Sequence, residues 1–390
     1  MGKVGPSQEQ IDSIISILSI GKFQEALEKT TILSQQYPVE SLLSNISGAC
    51  YQGLGQFDAA IECYEKAITI NPSYYKAHYN LGGVLQELGK LNSSIESFES
   101  ALSIKPDYAE AHNNIGNVFK ELDQFDNAIK SFRRAIEIKP NYLEAHFNLG
   151  SIFQDLNNLE AAIISYEKVL VIKPNFAELH NNLGVIFQGI GQLDSAQEHL
   201  EDAVRIMPDF SEAFNNLGNV FKELNQLDRA INCFHKAVAI NPNFDKAHNN
   251  IGNVFKELSQ FDNAIKSYEM AISTNPNYAE AYDNLGSLLK VLGQKYDAVS
   301  SYQKSLTIKP NNSEVHNNLA VTFMELGKLD ASIKSYETAL SINPDYAEAY
   351  NNLGIALNLN GQPEEAIKNY KKALSIKSDY AEVYLSLIHI

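Results

Sequence analysis

Six histidines, His78, His112, His146, His180, His248 and His316, stand in one register, separated by multiples of the interval between His78 and His112. Imidazole is a common metal ligand, and a row of them in register is a candidate series of metal sites. Consecutive members sit on separate helices, about 10 Å or more apart, too far to share one ion. The row therefore predicts packing residues and no metal. Asparagines form a second row at the same spacing: Asn80, Asn114, Asn148, Asn182, Asn216, Asn250, Asn284, Asn318 and Asn352. A primary amide carries donors and an acceptor together, so it can meet a peptide group in either direction without reading a side chain. Three stretches add polar groups nearby: Asn113, Asn117 and Lys120; Asn215, Asn219 and Lys222; Asn249, Asn253 and Lys256. These either hold polar or acidic side chains of a guest or form a solvated face on which lysine pairs with a nearby glutamate.

Other chemistry is missing from the pattern. Gly82 to Lys90 has the wrong spacing for a phosphate-binding loop. No serine, threonine or tyrosine forms a unique cluster with a base. Cys50, Cys63 and Cys233 lack metal-ligand spacing, and Cys63 and Cys233 share one register, as core-filling thiols do. The expectation is no catalysis and no cofactor within this stretch. A formal charge of −16 leaves no basic stripe to neutralise phosphates, which argues against nucleic acid and against an anionic membrane. Basic or neutral polypeptides fit better. The first residues hold no apolar run for a signal peptide, Pro6 stands where a myristoylation signal wants Ser or Thr, and charge interrupts every apolar stretch. These features predict a soluble, cytoplasmic chain; sequons at Asn45, Asn92 and Asn311 would matter only in a secreted one.

The elements that position both rows follow from the prolines. Ten of the twelve, from Pro38 to Pro344, recur at this same interval without a slip. Such a period marks an array of one supersecondary unit. The units are 7–40, 41–74, 75–108, 109–142, 143–176, 177–210, 211–244, 245–278, 279–312, 313–346 and 347–380, with a partial unit at 381–384 and a disordered start over 1–6. In 109–142, Ala111, Ile115, Val118, Phe119 and Leu122 recur at helical spacing, a polar turn follows, and Ala128, Ile129, Phe132, Ala135, Ile136 and Ile138 recur again. Each unit is therefore a helical hairpin. Glycine inside a helix costs about 0.5–1 kcal/mol against alanine, so its recurrence from Gly82 to Gly354 predicts close approach of the two helix backbones. The repeating proline ends the second helix.

The 34-residue unit, with an aromatic or His at its fourth place, Leu-Gly at the seventh and eighth, and then Ala, an aromatic, Ala and Pro, resembles the tetratricopeptide repeat over residues 7–384. That resemblance implies an all-α, right-handed α-solenoid superhelix of antiparallel helix hairpins, with the first helices lining a concave groove. Unit 7–40 departs most, with Ile14 for the glycine and Thr30 for the aromatic, which suits an end unit. The asparagine row, often in the string Asn-Asn-Leu-Gly, is similar to the ladder of the O-linked N-acetylglucosamine transferase family, which implies hydrogen bonds to the main chain of an extended peptide. A chaperone-tail carboxylate clamp needs basic residues where this chain has Asn215 and Asn284.

Two readings of the row stand side by side. In one it holds a peptide; in the other it is a product of duplication or a structural amide network. Units 109–142 and 245–278 are near-copies, yet the twelfth place has diverged through Gln86, Lys120, Gln154, Gln188, Lys222, Lys256, Lys290, Met324 and Asn358 while the sixth stayed asparagine. The leading expectation is a protein- or peptide-binding scaffold. The alternative is the substrate-recognition arm of a larger transferase, sulfotransferase or oxygenase whose catalytic domain lies outside this stretch. The closing hexapeptide, 385–390, resembles the translation of a transposase mosaic-end adapter, which predicts a non-native tail. An apolar face left uncovered on unit 347–380 predicts self-association.

Overall fold

The computed structural model describes residues 5–388. Positions 1–4 of the expected disordered start, and 389–390 of the expected tail, lie outside the described residues. The chain forms two compact units, 1–179 and 180–390. Every element among the described residues is a helix. The first helices of the hairpins are Gln8–Ser19, Ser41–Gly53, Tyr75–Glu87, Ala109–Glu121, Leu143–Asp155, Ala177–Gly189, Ser211–Glu223, Asp245–Glu257, Ala279–Val291, Ser313–Glu325 and Ala347–Leu359. Their partners are Phe23–Gln36, Phe57–Ile70, Leu91–Ile104, Phe125–Ile138, Leu159–Ile172, Leu193–Ile206, Leu227–Ile240, Phe261–Thr274, Lys295–Ile308, Leu329–Ile342 and Pro363–Ile376. A last helix, Ala381–Ile388, buries Val383 and packs Leu387 on the preceding hairpin, so the helical register continues past residue 384 into the suspected tail. At the other end Ser7 caps the first helix, accepting from the Gln10 N–H while the Gln10 side chain accepts from the Ser7 N–H.

The core of each hairpin is a side chain laid over a glycine. A Cβ on Gly116, Gly150, Gly218 or Gly252 would stand 2.5–2.7 Å from the nearest ring carbon of Phe132, Tyr166, Phe234 or Tyr268. Those rings are 0–2% exposed. The close approach expected at these glycines is therefore ring against backbone rather than backbone against backbone. The missing Cβ is the slot for the ring. Exceptions conserve the fit: Gly184 meets Leu200, and in unit 7–40 the large residue changes sides, with Ile14 and Thr30 both buried. Thr30 satisfies its hydroxyl on the Ala26 carbonyl at 2.7 Å. Ala320 stands where the glycine recurs, opposite the buried Tyr336.

The turn between paired helices sets a second constraint. The Gln192 N–H reaches back to the Phe187 carbonyl at 2.9 Å and the Gln260 N–H to the Phe255 carbonyl at 2.8 Å. That wrap puts the residue before each glutamine in the left-handed region, at φ 77° for Gly191 and 57° for Ser259. Asp123, Asn157 and Asn225 adopt the same φ, and of the four non-glycine residues Ser259 is the least suited to it.

Two changes test these constraints. Gly252→Ala gains about 0.5–1 kcal/mol of helix propensity but overpacks Tyr268 at a cost of about 1–3 kcal/mol, so net destabilisation is expected. Urea titration followed by far-ultraviolet circular dichroism, with hydrogen exchange to locate the loss in 245–278, checks it; an unchanged or stabilised hairpin would contradict the ring-in-slot account. Ser259→Gly is expected to stabilise the same hairpin by about 0.5–1 kcal/mol, because left-handed strain of about 1–2 kcal/mol outweighs the entropy glycine adds to the unfolded chain. Slower exchange around residue 259 is the readout.

Candidate functional site: the asparagine row

Within each compact unit the first helices of neighbouring hairpins touch directly, while the second helices make no comparable approach. The first helices of neighbouring hairpins thus lie nearer to one another than the second helices do. The row occupies their sixth place, and the fifth place abuts the following hairpin. In unit 1–179, Asn80 Nδ2 donates to Asn45 Oδ1 at 3.0 Å, Asn114 Nδ2 to the Tyr79 hydroxyl at 2.9 Å, and Asn148 Nδ2 to Asn113 Oδ1 at 3.1 Å and Asn117 Oδ1 at 2.9 Å. In unit 180–390, Asn216 donates to Asn181 at 2.9 Å, Asn250 to Asn215 at 3.0 Å and Asn284 to Asn249 at 3.0 Å. Each bond ties one hairpin to the one before it. The row is thus an inter-repeat amide network, and Asn80, Asn250 and Asn284 keep their carbonyl oxygen and second N–H outside it.

The network opens further along. Asn318 and Asn352 stand in the donor register but do not bond Asp283 and Asn317; Asn352 instead accepts from Asn351 at 3.4 Å. The side-chain oxygens Asp283 Oδ1, Asn317 Oδ1 and Asn351 Oδ1 are buried without a partner. Burial pushes the Asp283 carboxyl up to about 6, Glu314 and Glu280 add to the rise, and Lys256 opposes it. Asn182, the remaining member, is exposed.

The flanking lysines have carboxylates beside them. Lys120 Nζ lies 3.2 Å from Asp155 and donates to Ser151 Oγ at 2.7 Å, and Lys222 lies 3.9 Å from Glu257. Asn249 donates to Glu280 at 3.0 Å, Asn253 accepts from the Tyr268 hydroxyl at 2.8 Å, and Asn219 is partly buried. A related pairing joins the twelfth place to the thirteenth of the next hairpin, as in Gln52 to Glu87 at 2.7 Å. The fifth-place asparagines Asn113, Asn215 and Asn249, read from the sequence as guest-binding groups, accept from the sixth-place amide of the following hairpin.

The histidines have a specific job that periodicity did not show. His78, His112, His146, His248 and His316 each place Nε2 2.9–3.0 Å from the carbonyl of the proline six residues earlier. A nitrogen facing a carbonyl must be the protonated one, which fixes the tautomer and closes the junction between hairpins. His180 Nδ1 lies 3.1 Å from His199 Nδ1. Among the described residues no group of three or more His, Cys, Asp or Glu could hold a metal ion, and no helix is long and apolar enough to cross a membrane. The three cysteines are free, and burial pushes the Cys50 and Cys233 thiols up to about 11.

Antiparallel hairpins of one repeating length, stacked through a shared glycine–aromatic core, define a helical-repeat solenoid. Family models described as TPR repeat match residues 50–89, 84–123, 116–156, 150–191, 218–259 and 322–361, together more than half the chain. Others, described as tetratricopeptide repeat, match 177–210, 245–278, 279–312, 301–334 and 347–380. The chain belongs to the tetratricopeptide repeat family. Among solved structures, a chain of the APC/C hetero-tetramer Cut9-Hcn1 aligns over 98% of this chain and 96% of its own at TM-score 0.50 and 12% identity, a likeness of fold. YrrB, described as a TPR protein with an unusual peptide-binding site, aligns over 49% of this chain and 98% of its own at TM-score 0.43 and 21% identity. MamA aligns over 43% and 97% at TM-score 0.40 and 26% identity. No curated protein matches the chain.

The open and closed parts of the row should differ in stability. Asn250→Ala strands the buried oxygen of Asn215 and is expected to cost about 1–3 kcal/mol, whereas Asn318→Ala breaks no inter-repeat bond and should stay within about 0.5 kcal/mol of wild type. Urea titration of both variants checks this; equal effects would remove the network from the account of stability.

Proposed function

We propose that the chain is a non-catalytic scaffold that holds an extended polypeptide along its first helices, with the asparagine row facing the guest main chain. The observation that supports this most directly is the fixed orientation of the amides. In Asn250 and Asn284 the inter-repeat bond engages one donor and leaves a carbonyl oxygen and an N–H whose direction is already set. Ordering a free side chain on binding costs about 0.5–1.5 kcal/mol, so amides held in place beforehand bind at lower cost. Spacing also agrees: neighbouring first helices lie about 10 Å apart, near the rise of three residues in an extended chain at about 3.3 Å each. On this reading the network and the binding surface are one structure, and the two interpretations of the row cease to compete.

The test uses a protein captured from lysate by the wild-type chain, narrowed to its bound segment and remade as a labelled synthetic peptide. Changing Asn182, Asn216 and Asn250 together to alanine is expected to weaken binding by about 1.5–4.5 kcal/mol, from about 0.5–1.5 kcal/mol per hydrogen-bonding group. The loss should be similar for two peptides of unrelated sequence, since main-chain recognition does not read side chains. Fluorescence anisotropy at fixed salt measures it, with circular dichroism confirming the fold. Unchanged affinity in the folded triple variant would remove the row from the function.

A further inference from the structure

The amide row is closed over most of its length and open at Asn182 and again from Asn318 to Asn352. From Asn216 to Asn284 each sixth-place amide donates to the fifth-place side chain of the hairpin before it. At the next three hairpins the fifth-place acceptors are Asp283, Asn317 and Asn351, and one oxygen of each is buried with no partner. Asn317 and Asn351 are only 3% and 4% exposed. A buried acceptor without a donor is uncommon in native structures and asks for an explanation. Opposite Asn351 the donor place holds Ser386, which donates to the Glu382 carbonyl, whereas Asp283 and Asn317 stand opposite asparagines and still lack a donor.

The first of the three differs in charge. Asp283 is a carboxylate where Asn215, Asn249, Asn317 and Asn351 are amides. Glu314 and Glu280 act on it from the following hairpin and from its own helix, and Lys256 acts from the preceding hairpin. Three carboxylates against one ammonium leave the place short of positive charge, within a chain of net charge −16. The rise of the Asp283 carboxyl to about 6 reflects this imbalance together with burial.

We infer that this stretch sets the side-chain preference of the groove: the guest is an extended polypeptide that places a lysine or arginine beside the partly exposed Asp283. This rests on the groove reading proposed above and adds a chemical class of partner to it. An ammonium or guanidinium meets the exposed part of the Asp283 carboxylate and completes the charge that Lys256 balances only in part.

The experiment selects an immobilised library of fully randomised nonapeptides with the whole chain at fixed salt, then remakes one selected peptide with Lys, Gln or Glu at its most basic position. Aligned selected peptides are expected to share one position enriched in Lys and Arg. For wild type, Lys→Gln in that peptide should weaken binding about tenfold or more, the effect of a charge-assisted bond. In Asp283→Asn, which installs the amide found elsewhere in the row, the same replacement should change affinity less than about twofold. Asn216→Ala, in the closed part of the row, should keep the preference for lysine. Peptides bound without basic enrichment, or enrichment that survives Asp283→Asn, would overturn this inference and leave the groove reading standing. A library from which no peptide is bound would overturn both.

Discussion

Most hairpins depend on a ring, or a residue of similar bulk, occupying the space of an absent Cβ. Tyr268 lies against Gly252 where even one added methyl would stand 2.5 Å from a ring carbon. This contact fixes how far apart the paired helices run and their rotation about their own axes. Those two quantities determine which side chains reach the next hairpin. The fit is one of volume rather than residue type, as Gly184 with Leu200 and the inverted pair Ile14 with Thr30 demonstrate. A close-packed interior accepts such exchanges when total volume is kept and resists additions to one side alone.

Once the hairpins are set, the amide row becomes a consequence of repetition. Sixth- and fifth-place residues on successive first helices come within hydrogen-bonding distance because every hairpin presents them at the same angle. One Asn-Asn string is too short to form a network; several in register form one across hairpins. The junction histidines act in a similar way, each holding a proline carbonyl at the exit of the preceding helix. Solenoid stability is built from such nearest-neighbour terms. A change in one hairpin, such as Asp283 in place of asparagine, can therefore alter a local preference without changing the scaffold.

Much of this was present in the sequence. The proline period gave the repeating unit, apolar spacing gave two helices per unit, and a small residue in register pointed to close packing. The sixth-place asparagines stood out by their constancy while the twelfth place varied. These features are legible because local patterning and chain stiffness produce them, and neither needs knowledge of a distant contact.

Tertiary structure decided what those residues touch. It replaced the expected backbone approach at the glycines with ring packing, gave the histidines proline carbonyls as partners, and turned the asparagine row into bonds between hairpins. It also separated Asn250, whose donor is engaged, from Asn318, whose donor is not, although both occupy the same place in near-identical strings. The physical reason is that a hydrogen bond depends on both partners, and the partner here lies about one repeat away in the chain. Sequence period by itself determined the fold and the register of the row; only packing between hairpins decided which amides are engaged and left Asp283, Asn317 and Asn351 with an oxygen unpaired.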